Sequence, residues 1–188
     1  MRRARAPETK FASLVGSVDA EGRFCGYASL FGRVDLSGDV VMAGAFARSL
    51  REKGLDRVGM LLEHDPGKPI GTWLAIEEDR RGLWVEGRLG RSATAAAAGR
   101  RMAEGRLDGL SIGFRTVAAE EDRRTRVRRL IEIDLWEVSV VSAPMLPEAR
   151  ARAAGSGRGA GGEASGTAVD AGLIARLRRT TALLRQTR

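Results

Sequence analysis

The segment Gly109-Leu110-Ser111-Ile112-Gly113-Phe114-Arg115 sets a hydroxyl between glycines and large apolar residues, and the chain has a single histidine, His64, that could activate it. A serine becomes a nucleophile when a base takes its proton, a third group orients that base, and donors receive the oxyanion that develops. Carboxylates for the third role lie in Ile131-Glu132-Ile133-Asp134-Leu135-Trp136-Glu137, and Asp65 adjoins the histidine. Singly these residues are commonplace; together they suit hydrolysis through an acyl-enzyme. The Gly-x-Ser-x-Gly spacing also occurs in the nucleophile elbow of α/β-hydrolases, but that elbow needs a strand before it, a helix after it and the histidine last in chain order. Here a helix-forming stretch precedes Ser111, a strand-like stretch follows, and His64 comes first.

The elements that must position these residues follow from hydrophobic patterning. Leu14–Val18 and Arg23–Phe31 read as strands, the second bounded by Gly22 and Gly32. Val40-Val41-Met42 is a short apolar run, and Ala45–Leu50 has the composition of a helix stopped near Gly54. Val58–Leu62 is predicted as a buried strand that delivers Glu63 and His64 at its end, where Asp65-Pro66-Gly67-Lys68-Pro69 should break it. Ile70–Ile76 and Gly82–Leu89, separated by a charged run, form a predicted hairpin. Ser92–Glu104 is alanine-rich and ends before Gly105, which predicts a helix with the small apolar stripe Ala95, Ala98 and Met102. Arg123, Arg124, Arg126, Arg128 and Arg129 read as a solvated hairpin edge.

Leu130–Val141 reads as a strand, and its parity bears on chemistry. If regular, it points Ile131, Ile133, Leu135 and Glu137 one way, and Glu132, Asp134, Trp136 and Val138 the other. Glu137 then shares the face of three apolar residues, where an uncompensated carboxylate is costly, so it needs a partner. Ser142-Ala143-Pro144-Met145-Leu146-Pro147 closes the strand.

The chain has 188 residues, 43% of them apolar, enough for one ordinary core. Its net charge of +8 is unevenly spread: residues 1–10 carry +3 and residues 150–188 carry +6, leaving −1 for the stretch between. The basicity belongs to the tails, which argues against a nucleic-acid-binding face on the fold. Cys25 is the only cysteine, so neither an intrachain disulfide nor a cysteine-built metal site can form. Asp35 and Asp39 lack the alternating oxygen ligands and closing glutamate of a calcium loop and read as turn residues. No stretch reaches the roughly 18 apolar residues of a membrane span, and no secretory signal follows the first arginines, so the sequence predicts a chain that is not exported and does not cross a membrane.

Several segments together resemble the HK97-like prohead protease family of tailed phages: Gly26–Phe31 through Asp39, Gly44-Ala45-Phe46, Leu62-Glu63-His64-Asp65 with Pro69-Ile70-Gly71, Gly109–Phe114, and Leu135–Ser139 with Pro144-Met145. They follow the order found in that family and cover residues 14 to 147. The Arg- and Ala-rich style also resembles the version carried by gene transfer agents of alphaproteobacteria. The resemblance implies a serine endopeptidase that acts inside assembling proheads, in the cytoplasm of the bacterial host. Its substrate would be the amino-terminal scaffolding segment of the major capsid protein, and self-cleavage is common in the family. It implies a mainly β fold with packed helices (α+β), distantly like the herpesvirus assembly proteases, and neither metal nor organic cofactor. Carried over, His64 becomes the general base and Ser111 the nucleophile. Herpesvirus proteases use a second histidine, which this chain lacks, so a carboxylate must orient His64. Family likeness and strand parity favour Glu137, with Asp134 second and adjacent Asp65 third.

On this reading residues 1–12 form a basic arm, 13–149 the protease domain, 150–168 an Ala/Gly-rich linker and 169–188 a basic amphipathic helical tail. The tail's apolar stripe, Leu173, Ile174, Leu177 and Leu184, with arginines around it, suits a partner helix or an acidic interior surface; the expected partners are the capsid protein with its scaffolding segment and a second copy of the chain. The competing class is a capsid scaffold-binding or assembly protein without peptidase activity. An esterase of another fold and a nucleic-acid binder acting through residues 150–188 stand further off.

Overall fold

Runs of β-branched and aromatic residues separated by glycine and charged turns pair into two sheets that share one core. The computed structural model describes residues 17–122 and 124–154. The first sheet is antiparallel, with strand order β5 (Gly71–Glu78), β6 (Gly82–Leu89), β1 (Arg23–Leu30) and β9 (Ala151–Ala153). The second has the order β2 (Asp39–Val41), β8 (Arg128–Val141), β3 (Gly59–Leu62) and β4 (Asp65–Pro69), with β7 (Gly109–Glu121) on the other edge of β8. β2 and β3 run parallel to β8, whereas β7 and β8 form a long antiparallel hairpin.

Phe24, Trp73, Leu83 and Val85 of the first sheet meet Met60, Leu110, Leu135, Val138 and Val140 of the second in one buried cluster. Helix α1 (Ala47–Lys53) packs beside β8: Ser49 Oγ accepts the Leu135 N–H at 2.9 Å, and Lys53 Nζ donates to the Leu135 carbonyl at 3.0 Å. Helix α2 (Ala93–Ala103) begins at Ser92, whose Oγ accepts the Ala95 N–H at 3.1 Å, and buries the expected stripe Ala95, Ala98 and Met102. The result is a mainly β domain with two packed helices. Among the described residues no helix is long and apolar enough to cross a membrane.

Two expectations about element boundaries are corrected. Asp65–Pro69 does not break the sheet but forms β4, because β4 is an edge strand, where a proline costs no interior ladder bond. The compact unit also runs past residue 149 into the expected linker. Gly26 makes room for this: a Cβ there would stand 2.1 Å from the Arg150 carbonyl oxygen, so only glycine lets β9 lie so close to β1. Of the expected strand Leu14–Val18, Ser17 and Val18 lie in a bend, and residues 14–16 are outside the described residues. The basic arm, residues 155–168 of the linker and the helical tail also lie outside them.

The regular parity assumed for β8 fails as well. Gly113 pairs with Glu137 but Phe114 pairs with Leu135, so Trp136 is an extra residue on β8, 54% exposed. A second extra residue, Ile131, is 38% exposed while Leu130 and Ile133 are buried. Each bulge reverses the alternation beyond it. Leu135, Val138 and Val140 therefore all face the core, and Glu137 and Ser139 point to the opposite face.

Candidate active site

His64 sits on the two-residue turn joining β3 and β4, whose flanking residues Leu62 and Asp65 are paired. Glu63 has φ 53° and His64 φ 59°, both left-handed, as a type I′ hairpin turn requires. Neither residue is the glycine or asparagine that such a turn favours, and each costs about 1–3 kcal/mol by general estimates. The strain is held by three tethers at 3.1 Å. Glu63 N–H donates to the Val140 carbonyl, Ser142 N–H donates to Glu63 Oε1, and His64 N–H donates to Ser139 Oγ. Together these fix the imidazole over β8.

There it meets Glu137, with Nδ1 2.6 Å from Oε1. A carboxylate accepts, so Nδ1 carries the proton and Nε2 presents a lone pair, the tautomer a general base needs. The hydrogen bond to Glu137 raises the histidine's pKa above its ordinary value, against the opposing effect of partial burial, with the charges of Glu137 and Glu63 adding to the rise. Glu137 is largely buried, at 13% side-chain exposure, while the His64 side chain is 43% exposed. The second oxygen, Oε2, accepts the Ser139 hydroxyl at 2.6 Å. The carboxylate lies directly across Gly113, where a Cβ would stand 2.1 Å from Oε1.

Ser111 lies on β7 opposite Ser139, two residue pairs along from Gly113–Glu137 and so on the same face of the sheet. It is held in a regular strand, not in a strained elbow, and is 6% exposed. A cavity of about 130 Å³ opens beside it, lined by Ser111, Ile112, Phe114, Ala28, Asp35 and Leu146. Among the described residues no hydrogen bond links the Ser111 hydroxyl to His64, whose ring bonds to Glu137. Such contacts often form only when substrate is bound.

The other candidate carboxylates are engaged elsewhere. Asp134 pairs with Lys53, accepts the Trp136 indole N–H at 2.9 Å and lies 3.6 Å from Arg115, which together hold its pKa below the usual range. Asp65 pairs with Lys68 at 2.7 Å and accepts the Gly67 N–H at 2.9 Å. Among the described residues no cluster of three metal-ligating side chains occurs; Asp35 accepts the backbone N–H groups of Ser37 and Asp39, and Asp39 pairs with Arg128.

Sequence reasoning missed Ser139 and Gly113. The signal for Ser139 was its place two residues beyond Glu137, on the same strand face.

A family model described as caudovirus prohead serine protease matches residues 12–158. The prohead protease of Enterobacteria phage HK97 is 34% identical over 128 residues, covering 66% of this chain and 56% of that protein. The prohead protease of Escherichia phage T5 is 31% identical over 136 residues, covering 69% of this chain and 64% of that protein. The chain thus spans little more than half to just under two thirds of these relatives' lengths. The bacteriophage T4 capsid assembly protease has a similar fold, with a TM-score of 0.54 at 13% identity over 65% of this chain and 82% of that one.

Proposed function

Because this chain belongs to the caudovirus prohead serine protease family, we propose that it is a serine endopeptidase that removes the amino-terminal scaffolding segment of the major capsid protein during prohead maturation. It works without a cofactor, in the cytoplasm of the bacterial host and inside the assembling particle. Confinement there raises the local concentration of enzyme and substrate, so weak recognition suffices. The Arg- and Ala-rich style of the chain supports a gene transfer agent as the particle. On this reading the segments 1–12, 155–168 and 169–188 tether the protease domain, the last through its apolar stripe to a partner or a second copy. Self-cleavage in these segments would release it.

His64 Nε2 takes the proton from Ser111 as its Oγ attacks the scissile carbonyl, and Glu137 stabilises the imidazolium that forms. The imidazolium returns the proton to the leaving amine. Water, deprotonated by the same nitrogen, then hydrolyses the acyl-enzyme. The cavity beside Ser111 offers room for a substrate side chain.

The observation that carries this reading is the 2.6 Å contact of His64 Nδ1 with Glu137, on the sheet face that also bears Ser111. Co-expression with the major capsid protein of the same particle tests the reading by intact mass of both proteins. The unmodified enzyme should shorten the capsid protein and Ser111→Ala should leave it whole. Equal processing by both would refute the mechanism, and an intact capsid protein in both would favour the non-catalytic assembly role.

A further inference from the structure

Ser139 has no part in the three-residue mechanism, yet it touches two of its members. It is fully buried, and its hydroxyl has one proton to give. That proton goes to Glu137 Oε2 at 2.6 Å, while the oxygen accepts the His64 backbone N–H at 3.1 Å. We propose that Ser139 is a positioning residue for the general base, fixing the Glu137 carboxylate with its proton and the turn that carries His64 with its lone pair. The proposal rests on the reading of His64 as base and Glu137 as its orienting partner.

The terminal torsion of a glutamate is broad and roughly two-fold, so a carboxylate held at one oxygen alone can swivel. Ser139 occupies Oε2 and leaves Oε1 facing Nδ1; Gly113 supplies the space into which the group is pressed. The same hydroxyl satisfies the His64 amide in a left-handed turn whose two other tethers both fall on Glu63. Two other buried serines bond to backbone: Ser17 donates to the Met102 and Leu107 carbonyls, and Ser49 accepts the Leu135 N–H. Ser139 instead joins the side chain of Glu137 to the backbone of His64. The charged groups facing the imidazole are Glu137 from β8 and Glu63 from its own turn, the latter 3.8 Å from Arg101 of α2.

Because His64 is the only histidine, its ring Cε1 resonance in the full chain titrates alone. In the unmodified protein the midpoint should lie above 6.5. Ser139→Ala should move it down towards 6.5 and slow labelling of Ser111 by a fluorophosphonate on the order of tenfold to a hundredfold. Ser139→Thr, which keeps the hydroxyl, should restore both. Ser139→Cys, a close fit with a weaker donor, should fall between Ser139→Ala and the unmodified protein. A Ser139→Ala protein that melts normally and keeps the unmodified midpoint and labelling rate would overturn the proposal. A protein that is never labelled, but whose histidine midpoint responds to Ser139→Ala as stated, would uphold the positioning role and refute the serine protease reading.

Discussion

Replacing Gly113 by alanine adds one methyl group where the Glu137 carboxylate lies. The new Cβ would stand 2.1 Å from Oε1, 2.7 Å from Cδ and 2.8 Å from Cγ, whereas ordinary contact begins at 3.4 Å. Oε1 must therefore retreat by roughly 1 Å, and the same oxygen is 2.6 Å from His64 Nδ1. No backbone strain accompanies the change, because Gly113 is not among the residues of positive φ. The retreat breaks a hydrogen bond to a charged group, worth about 1.5–3 kcal/mol, or roughly tenfold to over a hundredfold in rate. The His64 side chain is 43% exposed, and solvent screening places the expected loss near tenfold. The rate of fluorophosphonate labelling, the His64 titration and the thermal midpoint are measured together. Gly113→Ala should label about tenfold more slowly, titrate nearer the ordinary histidine value and melt close to the parent. Normal labelling with a normal titration would refute the claim that Gly113 keeps Glu137 in place.

Four further outcomes follow from the structure. His64 must be neutral to act as base and its pKa is raised, so activity should climb with pH through a midpoint above 6.5; Glu137→Gln should lower both that midpoint and the plateau, as read from pH–rate profiles. The raised pKa also stabilises the fold below the unfolded histidine value, a contribution lost as pH rises through the folded value, so thermal melts of the parent and Glu137→Gln should draw together at higher pH. Asp134→Asn should leave the His64 titration unchanged, since Asp134 is engaged with Lys53, Trp136 and Arg115; a shift like that of Glu137→Gln would contradict this placement. Met102→Ala, which empties the only large buried position on α2, should cost about 2–5 kcal/mol in urea unfolding without moving that titration.

Much of this arrangement was legible in the chain because it is local. The Gly82–Leu89 strand of the hairpin, the helix begun by Ser92 and the strand leading to His64 each carry their signal within a few residues. The bulges of β8 do not. Nothing in Leu130–Val141 marks Ile131 and Trp136 as extra residues; that depends on the register with β7. Glu137 was thus chosen, beside its family likeness, for sharing the apolar face of Leu135, whereas it lies on the opposite one. The requirement for a partner was sound chemistry, since its side chain is largely buried and both oxygens are engaged. β4 was hidden because the prolines that argue against a strand are tolerated at an edge. β9 was hidden because its pairing is with residues more than a hundred positions earlier. The left-handed turn at Glu63 and His64 has no sequence mark either, because neither residue type favours it.

The central claim is that Ser111 is the nucleophile activated by His64. Peptide mapping after reaction with a fluorophosphonate tests it most directly. The account predicts one adduct, on Ser111, lost in His64→Ala and in denatured protein. An adduct on Ser139 or another serine, or none on the folded chain, would contradict it.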